Sequence, residues 1–264
     1  MSDISTVSSS QGVNPYNGGG RIDPYTIFQL NFEALGGEKN VKYDRNFLYQ
    51  GELQMNNNTF QIKEYISKPN RFRREISSNF KVVYKSGDDG FNIWDEQNGN
   101  VTSIPDGDTK ERKIRKLWDE YAYTDPKNRE FTAIATRKVS IDGTPCYEIK
   151  IRNRTTEEMV TQYYDTETFM LKRELQENGN SRLQTNYSDY RDVGNIKMAF
   201  RKETTNLNTN GKSIYQWDKI EKGVYISDSM FYAPEGNEKL KEYEAMIASG
   251  KQQVAKGGRV NTYA

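Results

Sequence analysis

The sequence has 264 residues, and its 38 lysines and arginines against 37 aspartates and glutamates give a formal net charge of +1. A charge balanced this closely provides no basic surface for nucleic acid, so we expect no nucleic-acid partner. Histidine is absent and Cys146 is the only cysteine, which excludes histidine-dependent catalytic triads, zinc sites built from histidine or paired cysteines, and internal disulfides.

The beginning of the chain, residues 1–21, is rich in serine, glycine and asparagine, which predicts a flexible leader. No positively charged segment followed by an apolar run occurs there, so we expect no secretory signal in the sequence as given. The Asp-Pro pair at 23–24 is typical of a helix start, and the Gly-Gly pair at 36–37 of a helix end. Together they predict one amphipathic helix over about residues 24–35.

From residue 46 onward, apolar and polar residues alternate, which indicates strands with one buried face. Turn signals such as Asn98-Gly99, Asp142-Gly143 and Asn210-Gly211 separate these strands. Because the turns are short and consecutive, neighbouring strands must pair antiparallel, and we count about eleven strands in a meander. The seven later strands are predicted over about residues 131–141, 145–153, 157–165, 169–176, 182–190, 196–205 and 213–222.

Two further helices are predicted from apolar residues at helical spacing, one over about residues 108–121 and one over about 235–249. The last stretch has no apolar face and contains a Gly-Gly pair, which favours a loose tail. We therefore divide the chain into a leader (1–21), a domain of half-barrel type (22–234), a C-terminal helix (235–250) and a tail (251–264).

The sheet that these strands form must bury one apolar face. Only 34% of the residues are apolar, but 18 tyrosines, 11 phenylalanines and 3 tryptophans supply large side chains for a core. A long antiparallel sheet does not stay flat, so it curls into a barrel, a half-barrel or a sandwich. The helices then either fill the interior or leave an apolar concavity that takes a hydrophobic ligand or a partner. The pattern alone leaves both alternatives open.

Six short segments occur in a fixed order between residues 24 and 234. They are ALGG at 34–37, KPNRFR at 68–73, DGTPCY at 142–147, YYDTET at 163–168, YSDYRDVGNIK at 187–197 and ISDSMF at 226–231. In this order and spacing they resemble the LolA/LolB-like superfamily of outer-membrane lipoprotein-sorting proteins of Gram-negative bacteria.

This resemblance implies a mainly β (α+β) fold, an incomplete antiparallel β-barrel of about eleven strands with helices covering the open concave side. It implies non-enzymatic binding of lipid acyl chains in an apolar cavity, as a lipid or lipoprotein carrier or sensor, with no cofactor and no metal. The partners it implies are a lipid or lipoprotein acyl chain and a membrane-associated protein. It also implies a periplasmic location, and the sequence as given is then expected to be the mature form.

The side chains that point inward from the strands are the candidates for such a cavity. Each of them also suits an ordinary core position, and that interpretation stays open beside the ligand-binding one. The candidates on strands are Leu53, Phe60, Ile62, Phe72, Val82, Phe91, Ile149, Tyr163 and Met198. The candidates on the helix predicted over about 108–121 are Leu117 and Trp118.

Two other classes of function are alternatives to lipid binding. The first is a structural or interaction subunit that reuses the fold within a larger assembly and docks through its N- and C-terminal extensions. The second is an enzyme with paired carboxylates such as Glu157 and Glu158. Adjacent residues on a strand point to opposite faces, so these carboxylates do not converge on one substrate, and we expect no enzyme.

Overall fold

One open antiparallel sheet dominates the part of the chain that the computed structural model describes, residues 23–104, 118, 120–178 and 181–234. The sheet has thirteen strands in the order β6-β5-β4-β3-β2-β1-β13-β12-β11-β10-β9-β8-β7. The strands are β1 (Asn46–Met55), β2 (Asn58–Ser67), β3 (Arg71–Ser78), β4 (Lys81–Asp88), β5 (Ile93–Gln97), β6 (Asn100–Ile104), β7 (Phe131–Ile141), β8 (Thr144–Asn153), β9 (Met159–Asp165), β10 (Leu171–Asn178), β11 (Ser181–Val193), β12 (Ile196–Asn206) and β13 (Lys212–Lys222).

Every pair of neighbouring strands is antiparallel, which confirms the predicted pairing. The described residues form thirteen strands, against the expectation of about eleven. The short strand β6 carries mostly polar residues, so no apolar alternation marks it in the sequence. The seven later strands lie within three residues of their predicted bounds, because glycine- and asparagine-containing turns delimit most of them.

The two halves of the sheet meet where β1 pairs with β13, with Phe47 opposite Lys222 and Met55 opposite Ser213. A register shift occurs in this pairing at Gly51. A Cβ atom at Gly51 would overlap the backbone carbonyl of Gln216, so a glycine is needed for the two strands to approach this closely.

Helix α1 (Pro24–Ala34) begins as the sequence predicts. The Asp23 carboxylate caps it by accepting hydrogen bonds from the backbone amides of Tyr25 and Thr26, at 3.4 and 2.9 Å. A second helix, α2 (Glu38–Tyr43), was not predicted, because it has only six residues and starts at a glycine that offers no side-chain cap. Two 3-10 helices cover Ala122–Thr124 and Asp228–Phe231.

Two hydrophobic cores lie between α1 and the concave face of the sheet, one on each half. Phe32 of α1 packs into the first core, and Ile27 and Phe28 of α1 pack into the second. The helix therefore covers the concave side and bridges both halves, as the incomplete-barrel fold predicts. The first core contains Phe32, Val41, Phe47, Tyr49, Leu53, Ile62, Val193, Ile196, Phe200, Trp217 and Ile220, and the second contains Ile27, Phe28, Tyr123, Phe131, Tyr147, Ile149, Ile151 and Tyr164.

Several predicted segments fall outside the described residues: the leader, the C-terminal helix and the tail. Of the helix predicted over 108–121, the structure describes only the last turn, where Trp118 is helical and Tyr121 has a left-handed backbone (φ 55°). No helix within the described part of the chain has the length and apolar character needed to cross a membrane.

Candidate functional site

A cavity of about 690 Å³ lies between α1 and the concave face of the sheet. Strands from both halves line it, together with Asn31 and Leu35 of α1. The amide of Asn31 donates a 2.7 Å hydrogen bond to the backbone carbonyl of Phe169, so this side of the helix is held against the loop before β10. The cavity is therefore bounded by the two halves of the sheet and by the helix that bridges them.

One wall of the cavity is apolar. It combines residues from α1, α2 and the strands next to the β1–β13 pairing with Trp118 and Leu171 from the other half of the sheet. Side chains of this kind line most small-molecule sites in proteins. The apolar wall consists of Leu35, Val41, Phe47, Ile66, Phe72, Trp118, Leu171, Ile196 and Met198.

Another part of the lining is rich in tyrosine and is connected by hydrogen bonds. The Tyr164 hydroxyl donates to the Gln162 side-chain oxygen at 2.7 Å, and the Gln162 amide donates to the Glu174 carboxylate at 2.9 Å. The Tyr190 hydroxyl donates to the Leu171 carbonyl at 2.8 Å. These bonds fix the polar groups of a largely desolvated surface, which would otherwise be costly to bury.

Four of these tyrosines have perturbed acidity. Burial disfavours the phenolate, and nearby tyrosines and, for three of them, Glu174 add to the effect. They stay protonated at neutral pH and act there as neutral hydrogen-bond donors. Burial raises the pKa of Tyr123, Tyr164, Tyr187 and Tyr190.

Charged side chains complete the lining. Arg74 on β3 and Glu64 on β2 form an ion pair at 2.6 Å. Burial by itself would lower the pKa of Arg74, but the Glu64 carboxylate together with Tyr215 and Tyr84 raises it. Lys202 on β12 places its ammonium 5.9 Å from the centre of the Tyr187 ring. The charged residues that line the cavity are Glu64, Lys68, Arg71, Arg74, Glu174, Lys197 and Lys202.

Three of the predicted ligand-binding residues line this cavity: Phe72 on β3, Met198 on β12 and Trp118. The Trp118 ring packs edge-on against Phe131, with ring centres 4.9 Å apart, and lies 5.0 Å from Tyr123. The structure thus brings together residues that are far apart in the chain. Their contact with a ligand stays a prediction.

Three other candidates are almost completely buried. Leu53 and Ile62 belong to the first core, and Ile149 to the second. They point inward from their strands, but they pack into the cores and are not among the residues that line the cavity.

The side chain of Tyr163 was predicted to point inward, but it lies on the convex face of the sheet. It pairs across the sheet with Glu148, to which its hydroxyl is hydrogen-bonded, whereas its neighbours Gln162 and Tyr164 face the cavity. The two consecutive tyrosines alternate between faces, and the apolar pattern did not decide which of them points inward.

The remaining candidates lie away from the cavity lining. Phe60 is half-buried, and Val82 and Phe91 are exposed. Leu117 lies outside the described residues.

Sequence reasoning missed the polar part of the lining. Tyr187 and Tyr190 both face the cavity although they are three residues apart on β11, because the strand is distorted at Asp189, which has a left-handed backbone (φ 55°) and is left out of the pairing with β12. Lys202 was missed because charged residues were assigned to the outer face. The tyrosines around Asp189 are the available signal, but strict alternation along the strand predicted over 182–190 places Tyr187 and Tyr190 on opposite faces.

Within the described ranges no group of three or more histidine, cysteine, aspartate or glutamate side chains is arranged to hold a metal ion. The sole cysteine, Cys146, is buried, and burial raises the pKa of its thiol. A thiol in such surroundings is a poor nucleophile.

Solved structures of three bacterial proteins share this fold. A DUF1329 family protein from Desulfovibrio piger matches with a TM-score of 0.56 and 12% identity, over 80% of this chain and 98% of that one. A putative outer membrane lipoprotein-sorting protein domain from Vibrio parahaemolyticus matches with a TM-score of 0.53 and 8% identity, over 78% and 95%. A LolA superfamily protein from Nitrosomonas europaea matches with a TM-score of 0.51 and 12% identity, over 78% and 97%.

No family model and no curated protein sequence matches this chain. The likeness is therefore one of fold, at identities of 8 to 12%. The chain has a LolA-like fold, which confirms the fold that the sequence motifs predicted.

Proposed function

We propose that this protein binds lipid acyl chains in the cavity on its concave face, without catalysis, as a lipid or lipoprotein carrier or sensor. The observation that supports this most directly is the cavity itself. Its volume of about 690 Å³ falls within the range of about 300–1,000 Å³ typical of ligand sites. Its apolar wall, built around Phe72 and Met198, suits a hydrocarbon chain.

The energetics of acyl binding suit a cavity of this kind. Each buried methylene group contributes about 0.8 kcal/mol, so a chain of about twelve carbons gains enough to bind without any directional contact. An apolar wall that faces a cavity of this size supplies the surface for that burial. The tyrosine-rich part of the lining leaves room for a polar head group beside the bound acyl chain.

The fold supports the same proposal. Two of the proteins with a similar structure are described as a putative outer membrane lipoprotein-sorting domain and a LolA superfamily protein. By that likeness we propose a periplasmic location, a lipid or lipoprotein cargo and a membrane-associated partner that exchanges it. We assign the binding function to the domain over residues 22–234, with the leader, C-terminal helix and tail as flanking segments.

The test is native mass spectrometry of the purified protein, together with extraction of bound lipid and titration with a fluorescent acyl probe. We expect a co-purifying lipid or acylated peptide, and saturable binding of the probe. Met198→Glu places a carboxylate on the apolar wall and should weaken probe binding about tenfold or more, because a buried charge is costly. Phe72→Glu should act in the same way.

Phe91→Glu is the matched control, because Phe91 is exposed and does not line the cavity. It should leave probe binding unchanged, and circular dichroism should show all three variants folded. Ile149 is unsuitable for this purpose, because it is completely buried and a glutamate there would disturb folding. Purified protein that carries no lipid and binds neither fatty acid nor lipopeptide would overturn the proposal.

A further inference from the structure

The lining of the cavity carries an excess of positive charge. Five lysine or arginine side chains line it, against two carboxylates, whereas the whole chain has a formal net charge of only +1. One of the two carboxylates is paired with a cation, and the other accepts hydrogen bonds from neutral amides. Glu64 pairs with Arg74 at 2.6 Å, and Glu174 accepts hydrogen bonds from Gln162 at 2.9 Å and Gln176 at 2.7 Å.

Lys202 differs from the three cations of this lining that form ion pairs, Arg71, Arg74 and Lys197. Arg71 pairs with Asp228 at 2.6 Å, and Lys197 pairs with Asp192 at 2.5 Å. Lys202 is half-buried, and no carboxylate of the described residues lies within ion-pair distance of its ammonium. An ammonium in a partly desolvated, aromatic environment costs free energy unless an anion or several hydrogen-bond acceptors compensate for it.

The immediate neighbours of Lys202 are tyrosines. Tyr187 lies opposite it on β11 and Tyr215 opposite it on β13. The Tyr187 hydroxyl makes no hydrogen bond to the described residues, and the phenol stays protonated at neutral pH because burial raises its pKa. An ammonium and a phenol O–H on adjacent strands offer two kinds of donor to the same oxygen atoms, an arrangement that suits a carboxylate or a phosphate.

We propose that the ligand of this cavity is an amphipathic anion, an acyl chain whose carboxylate or phosphate binds the Lys202 ammonium beside Tyr187 while the chain lies along the apolar wall. This inference rests on the proposed function and narrows it, since it excludes acyl ligands with neutral or cationic head groups as the preferred cargo.

The experiment compares four ligands with one chain length: hexadecanoate, hexadecyl phosphate, hexadecanol and hexadecyltrimethylammonium. Each competes with a neutral fluorescent acyl probe for the full-length protein at neutral pH. We expect both anions to bind at least about tenfold more tightly than the alcohol, as a charge-assisted hydrogen bond provides. The two anions distinguish a fatty-acid carboxylate from a phospholipid phosphate by their relative affinity.

The variants separate charge from packing. Lys202→Met keeps most of the aliphatic stem, so it should abolish the preference for anions and leave hexadecanol binding unchanged, and Lys202→Arg should retain the preference. Lys212→Met is the control, because Lys212 is on the neighbouring strand β13, is paired with Glu203 at 2.6 Å and does not line the cavity. It should keep the preference of the unmodified protein.

The outcomes also separate the two proposals. Binding of hexadecanol as tight as that of the anions, or an anion preference that survives Lys202→Met, would overturn the head-group site and leave acyl binding standing. If none of the four ligands displaces the probe, both acyl-chain binding in this cavity and the head-group site at Lys202 are overturned.

Discussion

The backbone carbonyl of Leu35 accepts a 2.8 Å hydrogen bond from the amide of Lys197, which joins the end of α1 to the start of β12. Both residues line the cavity, so this bond fixes the helix at one edge of it. Gly36 directly follows Leu35, where the end of α1 contacts the start of β12, and has a φ of +110°. A Cβ atom there would overlap the backbone carbonyl of Asn195.

Gly36→Ala should therefore destabilise the protein strongly. We expect a loss of about 3 kcal/mol in the free energy of unfolding, because backbone strain and overlap with a backbone atom act together. Gly99→Ala is the control, since Gly99 has a φ of +81° but nothing lies within 4 Å of its added Cβ. It should cost only about 1–2 kcal/mol. Urea unfolding of both variants measures the difference, and equal losses would contradict the close packing at Asn195.

The β3–β4 hairpin carries a strained residue at its tip. Asn79 and Phe80 both have left-handed backbones, with φ of 49° and 63°, and the Phe80 ring is fully exposed. A two-residue turn of this type favours glycine at its second position. Phe80→Gly should raise the free energy of unfolding by about 0.5–1 kcal/mol. Phe80→Ala also removes the ring but keeps the Cβ, so an equal gain for alanine in urea unfolding would contradict backbone strain as the cause.

The buried tyrosines predict a loss of stability at alkaline pH. Burial, reinforced by Glu174, raises the pKa of Tyr187 well above its ordinary value. Above about pH 10 the unfolded chain releases this proton and the folded protein keeps it, so stability falls by about 1.4 kcal/mol per pH unit for each such tyrosine. Below that pH both states hold the proton and the effect vanishes.

The variant Tyr187→Phe tests directly whether Tyr187 causes this loss of stability at alkaline pH. The variant should show a shallower decline of unfolding free energy, by about 1.4 kcal/mol per pH unit between about pH 10 and pH 11. Urea unfolding at several pH values gives the slope, and phenolate absorbance of the folded protein gives the ionisation itself. An unchanged slope would mean that Tyr187 titrates normally in the folded state.

Trp94 attaches the C-terminal part of the described chain to the sheet. Its indole Nε1 donates a 2.7 Å hydrogen bond to the buried carbonyl of Phe231. Trp217 is equally buried, but its Nε1 has no hydrogen-bond partner among the described residues. The two tryptophans therefore form a matched pair that differs in one hydrogen bond.

Trp94→Phe should cost more stability than Trp217→Phe, by about 1–3 kcal/mol, because only the first leaves a buried carbonyl without a donor. Hydrogen exchange should also become faster in residues 224–234 of the first variant alone. A larger loss from Trp217→Phe would show that packing, and not this hydrogen bond, dominates at both sites.

The fold could be predicted because its signals are local. Asp23 and the proline after it start α1, and Asp142-Gly143 turns β7 into β8, each through backbone chemistry that depends on a few neighbouring residues. Antiparallel pairing then follows from short connections.

The site could be predicted only in part, because its determinants are not local. The distortion at Asp189 brings Tyr187 and Tyr190 to one face, and strict alternation would separate them. Lys202 faces inward among aromatic rings, where an apolar pattern gives no reason to expect a lysine. Such polar residues are held by partners on strands distant in sequence, so only the folded sheet reveals them.

The pairing of β1 with β13 has a consequence for how the chain is made. Leu53 lies opposite Tyr215, and at ribosomal rates the stretch of about 160 residues between them takes about ten to thirty seconds to synthesise. During that interval β1 is complete, and the hydrogen-bonding edge that will receive β13 has no strand to pair with. Unpaired edges of this kind recruit other chains. A nascent chain of this topology thus passes through a long period in which a chaperone at the ribosome has a defined edge to protect.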